Sequence, residues 1–210
     1  MNFMTDAFEY DFEVESKPEE IKPKKPFSFK KELFEWLEIL IVAIILLVVL
    51  FSFVFKVVTI SGRSMQNTLL NGEKIIISDI GYTAKQGDIV VISRNANNIT
   101  NNSDANTPII KRVIATEGQV VDIDFQSGSV YVDGVKLEEE YTKTPTNLRG
   151  DIEFPVVVNE GCVFVLGDNR NDSTDSRNSS IGVNGMVDTR HILGKALFRI
   201  FPFDGFGGLY

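Results

Sequence analysis

Residues 39–55 read ILIVAIILLVVLFSFVF, a run without a charge whose one polar residue is Ser52. A segment apolar on every side has no face to turn toward water, so it either spans a membrane or is enclosed by protein. The run is at the short end for a span, and Trp36, Leu37, Val57 and Val58 lengthen it. It starts far into the chain and has no small-x-small site after it, which does not suit a cleaved leader. Pro26 and Ser28 are helix-start signals, so a helix is expected from Phe29, and the transmembrane segment is set at residues 29–58. Lys22, Lys24, Lys25, Lys30 and Lys31 precede the run, and only Lys56, Arg63 and Lys74 follow within a similar distance. Excess Lys and Arg stay on the inner side of a bilayer. The chain is therefore expected to cross the cell membrane once, with residues 1–28 cytoplasmic and residues 59–210 outside.

The segment before the span is polar, Pro-containing and without period, and is expected to be a disordered tail. Its Phe3, Phe8, Tyr10 and Phe12 alternate with acids, and residues 1–38 hold 10 acidic and 6 basic residues. The whole chain carries a net charge of -8, which excludes a general nucleic-acid binder. A single cysteine, Cys162, makes no intramolecular disulfide or zinc site by itself. A single histidine, His191, disfavours a Ser-His-Asp triad, so a hydrolase built on this chain needs another base.

After Thr59 the pattern changes to short alternating runs. KIIISDI, GDIVVIS, PIIKRVIATEG, QVVDID, SVYVDGVKL, CVFVLGD and ILGKALFRIF read as strands, and Asp133-Gly134 is a two-residue hairpin signal. No later stretch has a helical period of useful length. The expected fold class is mostly β: one N-terminal transmembrane helix, then an all-β extracytoplasmic domain. Two loops stand out. Residues 94–108 are Asn-rich, with N-x-[ST] sequons at Asn98 and Asn101. Residues 167–182 read GDNRNDSTDSRNSSIG, and a plain surface loop has no need for Arg170, Asp175 and Arg177 together. Asp168, Asn169, Asp172 and Asp175 also raise a calcium site, but the turn glycine and closing glutamate of an EF-hand are missing. No metal is expected.

Ser64 follows soon after the span, and Lys111 sits inside an apolar strand. Such a lysine either snorkels or is buried as an amine. At a pKa near 10.4 only about four lysines in ten thousand are neutral at pH 7. Burial favours the neutral form, and a neutral lysine can take a serine proton in place of histidine.

These residues lie in stretches that resemble the bacterial type I signal peptidases of the Gram-positive kind, the S26 peptidases. SGRSMQNTL (residues 61–69) resembles S-G-x-S-M-x-P-T-L, KRVIATEGQ (residues 111–119) resembles K-R-V-[IV]-G-x-[PE]-G-[DE], and GDNRNDSTDSR (residues 167–177) resembles G-D-N-R-x-x-S-x-D-S-R. GDIVV (residues 87–91) matches a further segment, and the four occur in the family's order after one span. The resemblance implies a Ser-Lys endopeptidase that removes signal peptides from exported preproteins, without a cofactor. It implies Ser64 as nucleophile, its N–H as an oxyanion donor, and Lys111 as general base. It implies that Ser173 hydrogen-bonds and aims Lys111, and that Asp175 and Arg177 pair to hold the loop. Ile60, Met65, Leu69 and Ile110 match positions lining small pockets for the substrate residues at -1 and -3. Gly62 stands where some relatives place a hydroxyl donor. The partners implied are preproteins with small residues at -1 and -3, and the lipid bilayer. An extended peptide is expected to add as a strand beside the edge that ends in TISGRS (residues 59–64) and beside GDIVVI (residues 87–92). Asn67 replaces the usual Pro, Ala115 a common Gly and Gln119 a common acid. The alternative function is a catalytically silent or specialised membrane-anchored β-domain that binds exported or pilin-like proteins.

Overall fold

The computed structural model describes residues 29–93 and 108–209. The expectations for the tail, for most of the Asn-rich loop and for its two sequons lie outside the described residues.

Helix α1 spans Phe29–Val54, and none of its residues is buried. Its 26 residues rise about 39 Å at 1.5 Å each, enough for a hydrocarbon layer of about 30 Å. Ser52, the one hydroxyl in the apolar run, donates to the Val48 carbonyl at 2.7 Å, so its polar group is satisfied within the helix. The helix stops short of the expected boundary at residue 58. Residues 56–59 form a strand instead, because KVVT has the β-branched content of a strand and pairs with the next one.

The strands are β1 (Lys56–Thr59), β2 (Lys74–Ser78), β3 (Ile89–Ile92), β4 (Ile109–Thr116), β5 (Val120–Asp124), β6 (Ser129–Val132), β7 (Val135–Lys136), β8 (Val156–Val157), β9 (Cys162–Leu166), β10 (Val187–Asp188), β11 (Ile192–Phe201) and β12 (Gly207–Gly208). The larger sheet runs β1-β2-β11-β3-β4-β9-β10, with β12 on β11, and the smaller runs β7-β6-β5-β8. Every pairing is antiparallel. All seven runs read as strands from the sequence are strands. Asp133 and Gly134 both take positive φ, 52° and 78°, which is the twist a two-residue hairpin requires.

Burial follows the patterns. In β2 it alternates, with Ile75 and Ile77 inside. In β3 every residue is buried, as for a strand covered on both faces. β3 is also flanked on both sides, by β11 and β4, so it offers no edge to an added peptide strand, contrary to expectation. β4 is different: β9 pairs with it only from Arg112 onward, so its 109–111 end has a strand partner on one side only.

Candidate active site

The turn that carries Ser64 connects β1 to β2. It closes through local bonds, Gln66 N–H to Arg63 O (3.0 Å), Thr68 N–H to Met65 O (3.0 Å) and Leu69 N–H to Met65 O (2.8 Å). Gly62 takes φ = 97°, a conformation that suits glycine, so a hydroxyl-bearing residue there would be strained. Asn67 takes φ = 101°, which proline cannot adopt, and its Nδ2 donates to Tyr141 O at 3.2 Å. The turn therefore differs from one built on the family's proline.

The loop after β9 grips this turn. Asn169 N–H donates to Ser64 O (2.9 Å), and Asn169 Nδ2 donates to Arg63 O (3.1 Å). Thr68 Oγ1 donates to Asp168 Oδ2 at 2.5 Å. Gly167 makes the approach possible: a Cβ there would lie 2.3 Å from Ser173 Oγ and 2.6 Å from Ser64 O. Lys111 comes from β4, opposite Val90 of β3, and is 3% exposed. Its Nζ donates to Ser64 Oγ at 2.8 Å and to Ile110 O at 3.0 Å. Two residues 47 apart in the chain thus meet at one proton. The Ser64 N–H makes no hydrogen bond to another described residue.

The expected bond from Ser173 to Lys111 is not formed. The Ser173 hydroxyl is buried without a hydrogen-bond partner, and the amine is directed to Ser64 and Ile110 instead. Asp175 and Arg177 do pair, Nε to Oδ1 at 2.8 Å and Nη2 to Oδ2 at 2.9 Å, and both are fully buried. Asp175 Oδ2 also accepts the Gly167 N–H, and Arg177 Nη1 donates to Leu148 O, so the pair ties the loop across its width.

The sequence reading missed a second buried pair. Arg112, next to Lys111, makes a bidentate contact with Asp168, Nε to Oδ1 at 2.9 Å and Nη2 to Oδ2 at 2.7 Å. The two side chains are 2% and 0% exposed. Arg112 Nη1 also donates to Gly87 O, and its guanidinium lies 3.9 Å from the Tyr141 ring centroid. The signal was present in the sequence: two charges in succession inside an apolar strand. A third pair joins Arg170 to Glu139, with Thr146 accepting a further bond. Burial alone would lower the Arg170 guanidinium, but the Glu139 carboxylate raises it on balance. Burial, reinforced by the Glu139 charge, also pushes the Tyr141 hydroxyl up.

These pairs account for the acidic residues raised as calcium ligands. Asp168 faces Arg112, Asp175 faces Arg177, and Asp172 faces Arg63. Among the described residues no group of three or more His, Cys, Asp or Glu is placed to hold a metal. Ile60, Met65, Leu69 and Ile110 all join one apolar cluster, with Val58 and Leu193 against it. Two cavities, of about 330 and 450 Å³, are lined by Tyr82, Thr83 and neighbours, and neither includes Ser64 or Lys111.

A serine hydroxyl in contact with a lysine amine held away from water is compatible with a serine hydrolase in which an amine replaces histidine. The family model described as signal peptidase, peptidase S26, matches residues 33–201, and the chain belongs to that family, which makes it a serine endopeptidase. It is similar to signal peptidase I of Bacillus licheniformis, 32% identical over 192 residues that cover 86% of this chain and 95% of the relative. It is 37% identical to the probable signal peptidase I-1 of Synechocystis over 188 residues, covering 88% of this chain and 89% of the relative. A crystal structure of a signal peptidase I from Enterococcus faecalis aligns over 54% of this chain and 97% of that one, with 25% identity and a TM-score of 0.40.

Proposed function

We propose that the chain removes signal peptides from exported preproteins, with Ser64 as nucleophile and Lys111 as general base. The observation that carries the assignment of roles is the 2.8 Å contact between Ser64 Oγ and Lys111 Nζ in a site where the lysine is buried. Burial favours the neutral amine, and a neutral amine at that distance accepts the Ser64 proton as Oγ attacks the scissile carbonyl. The ammonium so formed returns the proton to the leaving amine. A water molecule then repeats the sequence on the acyl-enzyme. The Ser64 N–H is the candidate donor to the developing oxyanion, and Gly62 adds no side-chain donor. The buried Asp175–Arg177 pair acts at one remove, by holding the loop that grips the Ser64 carbonyl. A silent peptide-binding domain has no use for a lysine amine buried against a serine hydroxyl.

The substrate adds as an extended strand along the side of β4 that β9 does not pair, residues 109–111, with alternate side chains directed at the cluster of Ile60, Met65, Leu69 and Ile110. A closely packed cluster of this kind favours small residues at -1 and -3. Helix α1 anchors the enzyme in the membrane with the peptidase domain outside, as the Lys-rich flank implies. The test is a membrane preparation of the full chain incubated with a preprotein bearing Ala-x-Ala. Cleavage after the second Ala, unchanged by EDTA, is expected, and no cleavage by correctly folded protein contradicts the reading.

A further inference from the structure

The apolar cluster that contains Ile60, Met65, Leu69 and Ile110 has a further member, Leu209, which is 9% exposed. Leu209 follows β12, and its N–H donates to Leu197 O at 3.0 Å, which fixes it on the hairpin formed by β11 and β12. A polar link runs from the same hairpin to the nucleophile turn. Arg199 on β11 donates Nε to Gly205 O and Nη1 to Glu73 Oε1, each at 2.8 Å. Glu73 is 5% exposed. Its Oε2 accepts the Leu70 N–H at 3.0 Å, and its carbonyl accepts the Ile60 N–H at 2.8 Å. The hairpin is therefore tied to residues on both sides of Ser64, by apolar packing and by a partly buried ion pair.

We propose that this hairpin is the back wall of the pocket that sizes the substrate residues beside the cut, and that Leu209 sets its depth. The inference rests on the peptidase reading given above. Leu209 is a positioning residue that acts through the apolar cluster it shares with Met65 and Leu69. Interiors are close-packed, so those two side chains withdraw from a substrate only as far as the layer behind them yields. With Leu209 shortened, unbranched Met65 has room to shift back, and a larger substrate side chain fits beside Ser64.

The test compares two preproteins that differ only at -1, Ala in one and Val in the other, cut by the full chain in detergent micelles. A methylene in an apolar pocket changes selection by roughly 10- to 200-fold, so Leu209→Ala is expected to raise the kcat/KM ratio of Val over Ala by about tenfold. Leu209→Met, which conserves volume, is expected to restore the wild-type ratio. A ratio within about twofold of wild type in Leu209→Ala, whatever happens to overall rate or to Tm, overturns the proposal, since a merely structural residue lowers both rates together. If Leu209→Ala does not fold, Leu209→Val carries the same test, with a smaller rise expected and an unchanged ratio overturning the proposal. If the wild type cuts neither preprotein, the peptidase reading has failed and takes this one with it. If it cuts and the ratio never moves, only this inference has failed.

Discussion

Asp168→Asn tests the buried pair that links the nucleophile turn to the lysine strand. Asp168 accepts two bonds from Arg112 and one from Thr68, and neither charged side chain reaches solvent. Replacing the carboxylate leaves the Arg112 charge buried and unmatched. Breaking a buried pair in this way costs about 3–5 kcal/mol, a large share of the roughly 5–15 kcal/mol that stabilises a typical domain. In a chain of this size each kcal/mol moves Tm by about 2–4 °C, so a fall of roughly 6–20 °C is expected. Thermal unfolding in detergent micelles, followed by near-UV circular dichroism, measures it. Arg112→Met is expected to match it, and the double variant Arg112→Met with Asp168→Asn to lose less than the sum of the two singles, because no charge is left without its partner. If either single variant melts within about 2 °C of wild type, or if the singles add, Arg112 and Asp168 are not the coupled buried pair described here.

Three further outcomes are expected. Asn67→Pro forces φ from 101° toward about -65°, so it is expected to destabilise by about 3 kcal/mol or more and to slow cleavage, whereas Asn67→Gly keeps both; urea unfolding with a cleavage assay separates the two. Cleavage is expected to rise with pH and then level off, because the neutral amine of Lys111 is the active form, and a profile that falls with rising pH contradicts that base. Protease added to intact cells is expected to digest the domain after the span and spare the tail, and digestion of the tail alone reverses the orientation.

Much of the architecture was legible because the hydrophobic period changes sharply. A run apolar on all sides gave α1, alternation such as that of β2 and β5 gave the half-buried strands, and Asp133-Gly134 gave its hairpin. The end of α1 was not legible, because residues 54–58 are apolar enough for either helix or strand, and only the pairing of β1 with β2 decides. The two-residue strands β8, β10 and β12 are too short to carry a period. At the site, Ser64 and Lys111 were legible through residue types set in recognisable stretches. Their support was legible only in part. The Arg112 partner lies 56 residues away, and no local pattern records a pairing at that separation. Asn67 looked like a mild departure from proline, but it takes a positive φ and its side chain bonds Tyr141 O, 74 residues on. Ser173 could be placed in the loop but not aimed, since a hydroxyl's partner is set by packing around Gly167.

Whether Ser64 and Lys111 act as one unit is decided by a single set of variants. Preprotein cleavage is measured in membranes from a host lacking other signal peptidases, for wild type, Ser64→Ala, Lys111→Ala, Lys111→Arg and the double variant Ser64→Ala with Lys111→Ala. Ser64→Ala removes the attacking oxygen and Lys111→Ala removes the acceptor of its proton. Lys111→Arg fails as well, since a guanidinium stays charged. Groups that act in one step are not additive, so the double variant is expected to be about as inactive as either alanine single, with all variants folded and inserted in the membrane. Cleavage by Ser64→Ala at a rate near wild type contradicts that expectation.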